Sequence, residues 1–196
     1  MKKIIHLQQI GELDKGILIK LRKDLRWAFK DFYLKVEILN EIIPLKEAEY
    51  NKKRRQYKAD LIMKDLLEYN REKNYFRILG VMDKDIYVRR FNFIFGTASN
   101  PDRAHFQFSP VALISVTRLR EQFWNRPVNS SLFELRVLKE AIHEVGHTLG
   151  LIHCDNQCIM VFSEWIGDTD NKPPMFCNSC SEELKNILNT FNQSKL

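Results

Sequence analysis

Three of the chain's five histidines, His143, His147 and His153, lie within 11 residues. The stretch reads His143-Glu144-Val145-Gly146-His147-Thr148-Leu149-Gly150-Leu151-Ile152-His153. On a helix, His143 and His147 are one turn apart on one face, so both rings can reach one ion. Two imidazoles so placed suit a tetrahedral Zn²⁺ at about 2.0 Å. Glu144 is turned away from direct ligation but stays beside the metal's open position, where it can accept a proton from water. Gly150 must end the helix, because without a Cβ it tolerates positive φ and lets the chain reverse. His153 then returns to the same ion. Three protein ligands leave a fourth position for water, which is the catalytic rather than the structural arrangement. The pattern is the extended signature H-E-x-x-H-x-x-G-x-x-H. His6 and His105 have no such company and read as ordinary strand or loop histidines.

A second constellation follows. All four cysteines, Cys154, Cys158, Cys177 and Cys180, fall in the last part of the chain. Two close pairs with 18 residues between Cys158 and Cys177 read as a Cys₄ metal knuckle rather than a disulfide framework, which would be spread along a small secreted domain. A closed Cys₄ shell has no open position, so such an ion fastens the chain.

These sites need elements to hold them. Ile4–Gln8 reads as a short strand. Leu13–Lys30 has helical spacing, with Leu18, Leu21, Leu25, Ala28 and Phe29 on one stripe and Asp14 able to cap it. Phe32–Leu39 alternates as a strand. Pro44 breaks the pattern, and Glu47–Arg71 reads as a long helix with Ala59, Ile62, Met63, Leu66 and Leu67 inward. Phe76–Met82 is a buried strand. Phe91–Phe95 reads as a strand closed by Gly96, Thr97–Phe108 as a loop containing Asn100-Pro101, and Val111–Thr117 as a strand. A helix should start at Ser130 or Ser131 with Glu134 in a capping box and stop before Gly150. A last helix is expected at Ser181–Phe191. The order implies an α/β (α+β) fold with a mixed, twisted sheet. Residues 1–150 would form an N-terminal α/β lobe that includes the active-site helix, and residues 151–196 a small C-terminal lobe, with a cleft between them.

The chain has 196 residues, 44% hydrophobic and 29% charged, which excludes a disordered or fibrous class. No apolar run reaches the roughly 18 residues that span a bilayer. The first residues lack the cleavage site of a signal peptide, so a cytosolic chain with no membrane partner is expected. The net charge of +6 gathers at Lys20–Arg26 and Lys52–Lys58. The densest stretch, Asn51-Lys52-Lys53-Arg54-Arg55-Gln56-Tyr57-Lys58, reads as the solvated face of a helix. It carries one aromatic and little base-stacking potential, so nucleic acid is disfavoured as a partner.

From these residues onward the sequence resembles the metzincin clan of zinc metalloproteases, and within it the archaemetzincins. Cys154 follows the third histidine, then Cys158-Ile159-Met160 and Cys177-Asn178-Ser179-Cys180. The spacer between Cys154 and Cys158 is one residue shorter than the family usually has. Leu79–Asp85, Phe93–Gly96 and Ile114–Arg120 look like the family's strand segments. The resemblance implies that Met160 is the Met-turn methionine beneath the histidines. It also implies that the four cysteines hold a second, structural zinc, and that the substrate is a peptide or protein. Some metzincins have a tyrosine two residues after that methionine; Phe162 stands there without a donor. The implied reaction is zinc-dependent peptide hydrolysis with Glu144 as general base, the peptide lying along a strand edge between Phe91 and Thr117. A zinc-dependent binding module with little turnover is the alternative.

Overall fold

The computed structural model describes residues 3–99 and 110–193; Asn100-Pro101 and His105 lie outside them. A five-stranded mixed sheet forms the centre. Its strands are β1 (Ile4–Ile10), β2 (Lys35–Ile43), β5 (Arg77–Met82), β8 (Val111–Ser115) and β7 (Gly96–Ala98), in the order β2-β1-β5-β8-β7. The first four run parallel, and β7 closes one edge antiparallel to β8. The inner strands β5 and β8 are buried along their whole length, which is why they read as continuous apolar runs rather than alternating ones.

Helices cover both faces. On one, α1 (Lys15–Ala28) buries Leu18, Leu21 and Leu25, and Asp14 accepts from the Gly16 N–H as its N-cap. It packs beside α3 (Ser130–Thr148). On the other face lies α2 (Ala59–Lys73), whose Ala59, Ile62, Met63 and Leu66 form a second cluster with Ile78 and Leu113. The short helix α4 (Ile166–Asn171) and the final α5 (Asn178–Gln193) follow. Met160, Leu184 and Leu188 belong to the same buried cluster as Ile5 and Leu79, so the chain after Gly150 shares the core beneath α3.

Several elements differ from the sequence expectation. The second strand begins at Lys35, because Lys30–Phe32 makes a 3₁₀ turn that seats Phe32 against Phe29, and Tyr33 takes a left-handed φ of 55°. The expected helix from Glu47 begins only at Ala59. Before it stands a hairpin of β3 (Tyr50–Asn51) and β4 (Gln56–Lys58), which joins β6 (Ile86–Tyr87) in a small second sheet. Asn51 makes the turn, its side chain accepting from the Arg54 N–H at 3.1 Å and its carbonyl from Arg55 N–H at 2.8 Å. The basic cluster therefore sits on a hairpin, not on a helix face.

Phe91–Phe95 is irregular apart from a bridge between Ile94 and Ile86, and Gly96 opens a strand instead of closing one. Its rings pack on side chains instead of pairing backbone: Phe93 lies against Trp124 and under the Arg118 guanidinium. The strand from Val111 ends at Ser115, and Thr117 starts a 3₁₀ turn. Asn129 caps α3, accepting from the Leu132 N–H at 3.0 Å. Glu134 instead faces Lys20 at 3.4 Å, so the expected capping box is not made. The last helix starts three residues early, at Asn178.

Candidate metal centre

α3 delivers His143, Glu144 and His147 from one buried stretch. Its end follows from local chemistry. Leu149 N–H returns to Val145 and Gly146, and Gly150 adopts φ 104°, a conformation that a side chain resists. Leu151 N–H then donates back to the Gly146 carbonyl at 3.0 Å. This reversal brings His153 beside the helix, and the ligand atoms of the three histidines lie within 4.8 Å of one another.

The ring orientations are set from behind. His143 Nδ1 donates to the Ile159 carbonyl at 2.9 Å, and His147 Nδ1 donates to the Leu151 carbonyl at 2.8 Å. A carbonyl only accepts, so each neutral ring carries its proton on Nδ1 and a lone pair on Nε2. The two Nε2 atoms then face each other at 3.1 Å. Two lone pairs at that distance repel unless a cation takes both, and one tetrahedral Zn²⁺ with nitrogens at about 2.0 Å would hold them roughly 3.3 Å apart. The donor set fits the metal. Burial holds the rings neutral: His143 is pushed well below its ordinary range, His147 down to about 4, and His153 downward as well, with the Lys172 ammonium acting in the same direction on all three.

Glu144 is buried, and its Oε2 has no hydrogen-bond partner among the described residues. A β-carbon on Gly96 would stand 2.7 Å from Glu144 Cγ and Oε1, so β7 presses against this carboxylate. Burial raises Glu144 well above the usual carboxylate range; Glu140 adds to that and Lys172 opposes it. Glu140 itself pairs with the buried Lys172 at 3.0 Å and accepts from Thr169 Oγ1. The polar back of α3 continues with Lys139, which donates to the carbonyls of Thr169 and Asp170, and with the fully buried Arg136, which holds Asp170 through two bonds of 2.7 Å. These contacts fix α4 to the helix that carries the site.

Met160 is fully buried, and a β-carbon on Gly146 would meet its Sδ at 2.6 Å. The methionine thus lies against α3 one residue before His147. Its carbonyl accepts from the Cys154 N–H at 3.1 Å. The four cysteines are free of disulfides, and their sulfurs also lie within 4.8 Å of one another. Two backbone N–H groups, from Met160 and Cys177, point at Cys158 Sγ at 3.5 and 3.3 Å. Amides aimed at sulfur favour a thiolate, as a metal requires, while burial pushes the Cys158 thiol up. The Cys177 thiol is drawn down to about 7, chiefly by the Cys180 backbone N–H.

The site opens into a cavity of about 1490 Å³. It is lined by Phe91, Phe93 and the strand Gly96–Ala98, and by Ile152, Phe162 and Ile187. Phe162 packs on His153 with ring centroids 5.1 Å apart.

Comparison with known proteins decides the class. Residues 1–186 match peptidase family M54. The archaemetzincin of Methanocaldococcus jannaschii is 39% identical over 183 residues, 92% of each chain. The chain belongs to the archaemetzincin family. A crystal structure of the archaemetzincin from Archaeoglobus fulgidus, complexed with malonate, superposes with a TM-score of 0.74 at 34% identity, covering 92% of this chain and 99% of that one. A zinc-dependent peptidase from Methanocorpusculum labreanum gives a TM-score of 0.78 at 27% identity over 92% and 99% of the two chains. This archaemetzincin is a zinc metallopeptidase, and His143, His147 and His153 are its zinc-binding triad. Among the described residues, no helix is long and apolar enough to cross a membrane.

The structure brings together every histidine and cysteine that the spacing singled out. Sequence reasoning missed Gly96, Glu140 and Lys172. Glu140 left a signal, since it precedes Glu144 by one helical turn and shares its face. Gly96 and Lys172 left none, because their contacts with α3 are made only in the folded chain.

Proposed function

We propose that this archaemetzincin hydrolyses peptide bonds with Glu144 as the general base. The observation that carries the reading is the Glu144 carboxylate, buried on the cavity floor one residue from the first of three convergent imidazoles. Zinc held by the triad would supply the Lewis acid that lowers the pKa of water toward about 7, polarises the scissile carbonyl and favours the ionised form of Glu144. Glu144 then takes the proton of the attacking water and passes it to the leaving amine. Its burial, with the Glu140 carboxylate nearby, helps it retain the proton between those two transfers.

The substrate lies extended along β7. That strand is the sheet's last on this side, it lines the cavity, and among the described residues its outer edge pairs with no other strand. Main-chain hydrogen bonds to it would hold a peptide of varied sequence. Phe162 covers His153 and offers no hydroxyl, so the reaction proceeds without a tyrosine donor at that position.

The segment after Gly150 acts as a C-terminal unit that supplies the third ligand, the Met160 support and a second, structural zinc on Cys154, Cys158, Cys177 and Cys180. Four unbridged thiols with metal-ligand spacing suit a reducing, cytosolic setting. The test is Glu144→Gln. Cleavage of a broad peptide mixture should fall by about 10²–10⁴-fold with zinc content unchanged. Wild-type cleavage by that variant would contradict the proposal.

A further inference from the structure

The hairpin β3–β4 places five cations, Lys52, Lys53, Arg54, Arg55 and Lys58, on the exposed surface. They are not all alike. Arg54 is held in one geometry: its Nε donates to Gln56 Oε1 at 2.8 Å and its Nη2 to the carbonyls of Phe91 and Asn92 at 3.1 and 2.7 Å. Its guanidinium also lies 4.1 Å over the Tyr87 ring. All of these partners are neutral. Its Nη1 donates to nothing among the described residues, and no carboxylate there lies within ion-pair distance of it. The contrast with neighbouring cations is direct, because Lys52 pairs with Glu47 at 3.1 Å and Arg118 with Asp85 at 2.7 Å.

Arg54 lines a small hollow of about 290 Å³ together with Lys58, Arg89, Asn51 and Tyr87, where Asp60 is the one carboxylate. Arg89 and Lys58 are exposed and have no ion-pair partner among the described residues. The hollow adjoins the catalytic cavity. Val88 lines both, and Phe91, whose carbonyl Arg54 holds, lines the larger one. A guanidinium fixed in advance, with a free edge and an unneutralised charge, matches a carboxylate and has little side-chain entropy left to lose on binding it.

We infer that this basic hollow recognises an acidic side chain of the peptide substrate, carried past Val88 when the peptide lies in the catalytic cavity. The inference rests on the peptidase reading above and adds to it a class of substrate, peptides with Asp or Glu some residues from the scissile bond. The cations also attract such peptides over a distance that salt shortens. Tyr87, the aromatic that lines the hollow, is buried and covered by Arg54 and offers bases no free face, so an acidic peptide is a better match than a nucleic acid.

The test uses zinc-loaded full-length protein and two matched peptide mixtures that differ only in carrying Glu or Gln outside a common randomised core. At low salt the Glu mixture should show a KM roughly three- to tenfold lower, the yield of a few partly exposed charge pairs. The advantage should fade at high salt and shrink in a Lys58→Gln, Arg89→Gln double variant, which leaves only Arg54 to hold the carboxylate. Equal KM values for the two mixtures, or a Glu preference untouched in the double variant, would overturn the inference. Equilibrium binding to Glu144→Gln protein separates this claim from the peptidase reading, using fluorescein-labelled Glu and Gln peptides followed by anisotropy. Cleavage without a Glu preference defeats the inference alone. Salt-sensitive Glu binding with no cleavage of any peptide by wild type defeats the peptidase reading alone. A single-stranded oligonucleotide that binds more tightly than the Glu peptide and loses its affinity in the double variant would assign the hollow to nucleic acid and overturn the inference.

Discussion

Gly96 and Glu144 touch across the catalytic cavity, so closely that a β-carbon on Gly96 would lie 2.7 Å from Glu144 Oε1. One is the first residue of the edge strand along which the substrate is proposed to lie; the other is the proposed base. On that proposal their contact would set the distance between the peptide and the group that activates water. Gly96→Ala should therefore displace the Glu144 carboxylate and lower kcat by about 10²-fold, the order of effect that a misplaced catalytic group produces. Zinc content should not change. A full-rate, zinc-loaded Gly96→Ala enzyme would show that the contact does not position Glu144.

Zinc-free protein should lose stability on mild acidification. Burial pushes His147 down to about 4, against an ordinary value of 6.5, and lowers His143 too. Between those values the unfolded chain binds a proton on His147 that the folded chain does not. Stability is then fully present above about pH 6.5 and falls as the pH drops toward 4, by at most about 3.4 kcal/mol for His147 at 1.36 kcal/mol per pH unit. Urea unfolding of the zinc-free protein across this range should show the slope, and His147→Gln should flatten it. An identical slope in the variant would contradict the assignment.

Gly146 sits inside α3, where alanine ordinarily stabilises a helix by up to about 1 kcal/mol. Here the added carbon would meet Met160 Sδ at 2.6 Å. Gly146→Ala should instead destabilise the protein by about 1–3 kcal/mol through overpacking, measured by denaturant unfolding. A stabilised variant would mean that Met160 is free to yield and does not brace the helix.

Cys180→Ser should remove one zinc and destabilise the fold by roughly 3–5 kcal/mol, about 10 °C in Tm, because a structural ion contributes its binding energy to folding. Cys154 adjoins His153, so kcat should fall as well even with the histidine site loaded. Unchanged zinc content and Tm would remove the structural role of the cluster.

The histidine site was legible because its geometry is local. A helix period places His143 and His147, and one residue type, glycine at 150, is compatible with the φ of 104° that returns His153. The parallel strands β5 and β8 were legible as apolar runs for a similar reason. The hairpin at Asn51–Lys58 was not. Lys, Arg and Gln suit a helix as well as a surface, so the period of α2 extended smoothly back over them. What overrides it is tertiary: Tyr57 pairs with Ile86, and the Asn51 side chain closes the turn on Arg54. The strand expected at Phe91–Phe95 failed for a similar reason, since those rings serve the cavity wall and the Arg118 guanidinium instead of a ladder. Lys172 meets Glu140 only after the chain has passed through the Cys158–Met160 turn and α4, and no sequence period spans that distance.

The most direct test is zinc analysis paired with peptide hydrolysis for wild type, Glu144→Gln and His147→Ala. The account predicts two zincs and activity in wild type, two zincs with activity lowered by about 10²–10⁴-fold in Glu144→Gln, and one zinc without activity in His147→Ala. Wild-type hydrolysis by Glu144→Gln, or two zincs retained in His147→Ala, would contradict it.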